Sequence, residues 1–119
     1  MVKEIKTAEL IKMINSGNQA VVKFYSKNCK YCTKLGDIYA NISNEFGDLN
    51  FYKISIDLYP ESTLPEVLVF NGVPTILLLN GRGERKYRFL DEPKKPDKDT
   101  WYGKEHVKQF LKRHFKEIK

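Results

Sequence analysis

Two cysteines three positions apart, in the run Cys29-Lys30-Tyr31-Cys32, are the residues of this chain whose type and spacing best suit chemistry. At that spacing one thiolate can attack a disulfide, and the second thiol, one helical turn further on, can attack the mixed disulfide and release its partner. A bridge between them closes a loop too small to restrict the unfolded chain, so the pair reads as reactive and not as a staple. Half of a zinc site is the other chemistry open to a C-x-x-C. Zinc needs four ligands, and the two histidines, His106 and His114, lie eight apart near the C-terminus. No metal is therefore expected within one chain, and a zinc or iron–sulfur centre shared between two chains is the alternative.

The elements that must hold the cysteines favour the redox reading. Gln19 to Ser26 (QAVVKFYS) is β-branched and aromatic on both faces, as suits a central strand covered on both sides, with Lys23 the odd residue in it. From Lys30 to Phe46 the residues Leu35, Ile38, Tyr39, Ile42 and Phe46 fall on one helical face, which puts the cysteines at a helix start. Unpaired backbone N–H groups and the helix dipole favour a thiolate there, so Cys29 is the nucleophile candidate and Cys32 the resolving residue. A cysteine pair in this strand-to-helix context is a redox motif.

Around that unit, Ala8 to Asn15 reads as an amphipathic helix with Thr7 as its N-cap and Ser16-Gly17-Asn18 as its stop. Asn50 to Asp57 is a strand, and Glu61 to Phe70 a short helix or turn. Thr75 to Leu79 is a buried strand joined by Asn80-Gly81-Arg82-Gly83 to an antiparallel partner, Glu84 to Leu90. Asp91 to Thr100 is polar, holds two prolines and reads as a surface loop. After Gly103, the residues Val107, Phe110, Leu111, His114 and Phe115 outline a last helix. This order predicts an α/β fold, a mixed central sheet flanked by helices on both faces, in one domain over residues 1–119.

Composition bounds the function. With 119 residues, 41% of them hydrophobic and 13% aromatic, the chain can bury a real core, and disorder is disfavoured. The uncharged stretch from Val67 to Gly81 is too short and too broken by Asn71, Gly72, Pro74 and Asn80 to span a bilayer. The N-terminus, with Lys3, Glu4, Lys6, Glu9 and Lys12, has no apolar run of the kind a secretory signal needs, so a cytoplasmic, non-membrane protein is expected. A net charge of +6, from 21 basic and 15 acidic residues, is spread along the chain and reads as solvated surface. A specific nucleic-acid partner is not expected.

The run VVKFYSKNCKYC, the strand ending in ISID, the GVPTILLLNGRGE segment and a late glycine before a C-terminal helix together resemble the thioredoxin family over nearly the whole chain. The resemblance implies the thioredoxin fold, with a cis Val73–Pro74 bond lying against the cysteines, and backbone hydrogen bonds from Val73 to an extended substrate. It implies a thiol–disulfide oxidoreductase that acts on protein disulfides or dithiols, works as a monomer, needs no cofactor beyond the Cys29–Cys32 disulfide, and is recycled by an external reductase or glutathione. Asn28, Lys30 and Tyr31, beside the cysteines, are the further expected substrate contacts.

The chain departs from the family pattern at three places. Asn28 stands where the family usually has Trp; it can cap the helix but offers a partner no aromatic surface. Lys30-Tyr31 replaces the Gly-Pro of thioredoxins and the Gly-His of protein disulfide isomerases, with Tyr31 similar to the Tyr of glutaredoxins. Lys30 adds positive charge beside the thiolate, which predicts a more oxidising couple than a reducing thioredoxin's. Lys23 occupies the position of the family's buried acid, with Lys53 resembling the lysine that partners it. Two readings of Lys23 follow: a side chain that snorkels to water, or a desolvated, neutral amine that accepts the Cys32 proton. Trp101-Tyr102-Gly103 resembles the stretch before the last helix of disulfide isomerase domains, with Trp101 read as a core or loop-packing residue. The alternative function is a redox-inactive, thioredoxin-like module that binds a protein partner.

Overall fold

A computed structural model of the chain describes residues 2–60, 63–65, 68, 70, 72–80 and 87–114. Five strands and three helices follow in the order β1 (Val2–Glu4), α1 (Thr7–Ser16), β2 (Ala20–Tyr25), α2 (Lys30–Glu45), β3 (Asn50–Ser55), β4 (Thr75–Leu79), β5 (Tyr87–Phe89) and α3 (Lys104–His114). They build one mixed sheet in the order β1-β3-β2-β4-β5. β1 and β2 run parallel to β3, and β4 runs antiparallel to both β2 and β5. β2 is therefore central, as its two-faced apolar pattern predicts.

Each face of the sheet carries its own core. Val21, Phe51, Ile76 and Leu78 pack against Leu35, Tyr39 and Ile42 of α2 and Val107, Phe110 and Leu111 of α3. Ala20, Val22, Phe24, Ile54, Leu77 and Leu79 pack on the other side with Leu10, Met13 and Ile14 of α1. The period of two along the strands sends alternate residues to opposite layers, so helices flank both faces and the fold is that of thioredoxin. Buried Tyr39 ties α2 to the sheet, its hydroxyl within hydrogen-bond distance of the carbonyls of Val21 (3.0 Å) and Tyr52 (2.7 Å).

Several boundaries differ from the sequence reading. β1 was not foreseen; it exists because Val2, Lys3 and Glu4 find Phe51, Tyr52 and Lys53 to pair with. Thr7 is the first helical residue and not the cap. Lys6 holds the cap position with extended backbone, and its N–H donates to Glu9 Oε1 at 3.4 Å. Gly17 closes α1 in the left-handed region at φ 72°, where a side chain would be strained. β5 is short, Tyr87–Phe89. The expected turn at Gly81-Arg82-Gly83, the start of its partner strand at Glu84, and Phe115 lie outside the described residues. Within the Glu61–Phe70 segment, turn hydrogen bonds join Thr63 N–H to the Pro60 carbonyl and Leu68 N–H to that of Pro65.

Candidate functional site

Cys29 and Cys32 are joined as a disulfide at the start of α2, with their Cα atoms 5.2 Å apart. Cys29, in extended conformation, is the N-cap of the helix, and its Sγ accepts the backbone N–H of Cys32 at 3.1 Å. A donor aimed at this sulfur favours its thiolate in the reduced state. The cap position belongs to Cys29 and not to Asn28, which sits exposed in the preceding turn with its N–H toward Ser26 Oγ at 3.4 Å. Cys29 is partly exposed, whereas Cys32, at 4%, is buried beneath it.

The turn before Cys29 is fixed from a distance. Asp57, just past β3, accepts the Lys27 N–H at 2.9 Å and the Ser26 hydroxyl at 3.0 Å. These bonds, the Lys27 one foremost, hold the Asp57 carboxyl below its ordinary range. Sequence reasoning missed this residue; the signal available was an aspartate ending the ISID strand.

On the opposite side the loop before β4 comes in against the disulfide. The Val73–Pro74 peptide bond is cis, and the Val73 carbonyl lies 3.7 Å from Cys29 Sγ. Thr75 Oγ1 donates to the Gly72 carbonyl at 2.7 Å and braces this loop. Val73 and Pro74 thus meet the cysteines although 44 positions separate Val73 from Cys29.

Lys30 and Tyr31 sit on the first turn of α2. The exposed Lys30 Nζ stands 5.2 Å from the Tyr31 ring centre, and Tyr31 makes an edge contact with Trp101 at 5.4 Å between centroids. Trp101 is held in place by three hydrogen bonds, in a conformation a bulky residue seldom takes. Its backbone bonds Asp97 in both directions at 3.0 Å, its indole N–H donates to Glu92 Oε2 at 2.7 Å, and its φ is 66°. Trp101 packs against the core under α3, as the sequence reading has it, and its ring also meets Tyr31 on the helix turn that carries the disulfide.

Lys23 lies on the α2 side of β2 and is only 4% exposed, its ammonium turned into a cleft and not out to the open surface. Its Nζ stands 5.0 Å from the Tyr39 ring centre and 5.7 Å from that of Tyr25. Lys53 faces it in register on β3. Burial above all, then Lys53, push the Lys23 ammonium down from 10.5 to about 8, with Asp37 acting weakly the other way. Lys23, Lys53, Tyr25, Cys32 and Thr33 line one cleft of about 220 Å³. Among the described residues no cluster of His, Cys, Asp and Glu has the makings of a metal site.

The thioredoxin family profile matches residues 1–96. The chain belongs to the thioredoxin family. Among solved structures it is similar to chloroplastic thioredoxin z, at 18% identity and TM-score 0.71, over 94% of this chain and 92% of that one. It is similar also to thioredoxin O1 of Arabidopsis thaliana in its oxidised state, at 18% identity and TM-score 0.69, over 96% and 97% of the two chains. The J-Trx1 fragment of ERdj5 matches at 19% identity and TM-score 0.73; 98% of this chain aligns, with 51% of that fragment. At these identities the neighbours share the fold. A thioredoxin-family domain with a disulfide at this spacing is, in general terms, a thiol–disulfide redox protein.

Proposed function

We propose that this protein is a thiol–disulfide oxidoreductase acting on protein disulfides, with Cys29 as nucleophile and Cys32 as resolving residue. The observation that carries the reading is the asymmetry of the pair: Cys29 is partly exposed, and its Sγ accepts the Cys32 N–H and borders Val73, while Cys32 is buried. In the reduced protein the Cys29 thiolate attacks one sulfur of a substrate disulfide. The Cys29–substrate S–S bond forms, the substrate S–S bond breaks, and the leaving thiolate takes up a proton. Cys32 then loses its proton and attacks Cys29 Sγ, so the Cys29–Cys32 disulfide forms and the second substrate thiolate leaves. Two electrons and two protons pass to the substrate, and an external dithiol or glutathione restores the pair.

Lys23 is assigned the Cys32 proton. It lines the same cleft as Cys32, and with its pKa lowered to about 8 the neutral amine that can take the proton is a minority form at pH 7 that grows as pH rises. Val73 and Pro74 seat an extended substrate segment beside Cys29, with Asn28, Lys30 and Tyr31 on the facing rim and Trp101 extending it.

The test is the Cys29–Cys32 reduction potential in a glutathione buffer, together with insulin-disulfide reduction by the wild type and Cys32→Ser. A two-electron couple with turnover, and a mixed disulfide that accumulates in Cys32→Ser, are expected. A protein that keeps its fold and binds a partner, yet reduces disulfides no faster than free dithiol, would be a binding module instead. For Lys23 the measurement is the pH profile of exchange in Lys23→Met; a rate and profile like the wild type's would remove its role.

A further inference from the structure

The cleft next to Cys32 is lined by lysines and by no carboxylate. Lys23 and Lys53 are direct cross-strand neighbours, and like charges in that relation repel. Both ammonium groups gather over one ring, at 5.7 Å and 5.5 Å from the centre of Tyr25. Lys27 adds a third ammonium to the lining. Among the described residues the ion pairs join Arg88 to Asp91 and Glu45 to Lys104 and Lys108, and none reaches Lys23 or Lys53. Lys23 is 96% buried, and Asp37, the carboxylate that acts on it, makes no ion pair with it; such a charge is costly, and an interior normally supplies a directly bonded partner.

The space for such a partner is present. Gly36 faces the lysine without a side chain; a Cβ there would stand 3.7 Å from Lys23 Nζ. The cleft volume of about 220 Å³ equals roughly seven waters at about 30 Å³ each, enough for an anion of several heavy atoms. The hydroxyls on its walls are already engaged, Ser26 with Asp57 and Thr33 with the Cys29 carbonyl. The ammonium groups are left as the donors.

We propose that this cleft binds a small oxyanion, a carboxylate or phosphate, bridged between the ammonium groups of Lys23 and Lys53. Charge-assisted N–H···O bonds from two sides would offset the repulsion between the lysines and give Lys23 a directly bonded counter-charge. The groups facing the site are Lys53 from β3, Tyr25 from β2, Asp37, Tyr39 and Cys32 from α2, Lys27 from the turn, and at its margin two carboxylates that are already engaged, Glu4 of β1 with the Tyr25 hydroxyl and Asp57 with Ser26 and Lys27. Tyr25 stays neutral, pushed up to about 12 by burial first and then by its bond to Glu4. Binding therefore favours the Lys23 ammonium and weakens as pH rises past the Lys23 titration. An occupied site would hold Lys23 protonated, so ligand and the Cys32 proton compete for it. The binding itself does not require the redox reading.

The experiment uses the oxidised full chain, in which neither cysteine is free. The side-chain ε-methylene NMR signals of Lys23 and Lys53 are followed while phosphate, and separately acetate, replaces chloride at constant ionic strength. Saturable, concerted shifts at both lysines are expected with at least one of the two probes, and which one saturates distinguishes a phosphate from a carboxylate site. Lys53→Met should weaken the affinity about tenfold, as loss of a charge-assisted bond implies, and Lys53→Arg should retain it. A linear drift with both probes, or binding by Lys53→Met equal to the wild type's, would overturn the proposal. The unfolding midpoint of each variant, measured in chloride, separates a lost site from a lost fold.

Discussion

Replacing Lys23 by methionine should make the protein more stable at neutral pH, and the gain should disappear in alkali. Lys23 titrates at about 8 in the folded chain against 10.5 ordinarily. At 1.36 kcal/mol per pKa unit, the charged side chain costs the folded state about 3 kcal/mol. The rings of Tyr25 and Tyr39, within 5.7 Å and 5.0 Å of the ammonium, return about 1 kcal/mol of this. Methionine fills similar space without the charge, so the net gain is about 2 kcal/mol at pH 7, or on the order of 10 °C in Tm for a domain of this size. The pH dependence carries the stronger test. Between about 8 and 10.5 the unfolded chain holds the Lys23 proton and the folded chain does not, so wild-type stability rises with pH across that window. Lys23→Met lacks this group, and the two unfolding curves should converge as pH approaches 10.5. Urea unfolding of both oxidised proteins at pH 7, 8, 9 and 10, in chloride without phosphate or carboxylate, measures the gap. A destabilised Lys23→Met, or a gap that stays constant with pH, would refute the reasoning that the buried ammonium is uncompensated.

Three further outcomes are expected. Tyr39→Phe removes a hydroxyl that lies within hydrogen-bond reach of the Val21 and Tyr52 carbonyls, and should lower stability by about 1–2 kcal/mol in the same urea assay. Lys30→Gln removes an exposed charge at the first helical residue. With a surface interaction of about 0.5 kcal/mol, the Cys29–Cys32 couple should become more reducing by about 10 mV in a glutathione titration. Trp101→Ala takes away the ring against Tyr31; it should lower kcat/KM for insulin several-fold while leaving reduction of a small aromatic disulfide nearly unchanged.

What was legible in the sequence was what local pattern controls. α2 announces itself because its apolar residues repeat at the helical period, and β2 and β4 because they are short, continuous apolar runs; Thr75 to Leu79 agrees with the observed strand at both ends. The C-x-x-C declares its position because a strand pattern stops before it and a helical one starts within it. What could not be read depends on neighbours far along the chain. β1 is three residues with no periodicity, defined by its pairing to β3. Lys at the cap position matches no capping preference, and only Glu9 at the third helical position carries the sequence signal of a capping box. Asp57 fixes the turn before Cys29 from 30 positions away. Lys23 offers a long aliphatic stem that is free to reach the open surface, and only the packing of α2 over β2 turns its ammonium into a cleft instead. The contact of Trp101 with Tyr31 likewise arises where the Asp97–Trp101 bridge directs the loop.

The sheet order has a bearing on synthesis. β2 lies between β3 and β4, and Thr75 at the start of β4 follows Tyr25 by 50 positions. At about 5–20 residues per second, a ribosome needs several seconds after completing β2 to deliver the strand that covers its second edge. Without β4, the strand of Ala20, Val21, Val22, Phe24 and Tyr25 would have one edge unpaired, the kind of apolar segment that recruits other strands. A charge in the middle of such a segment is the common natural deterrent. Lys23, a burden once the fold closes, would act as a gatekeeper while the chain is still incomplete.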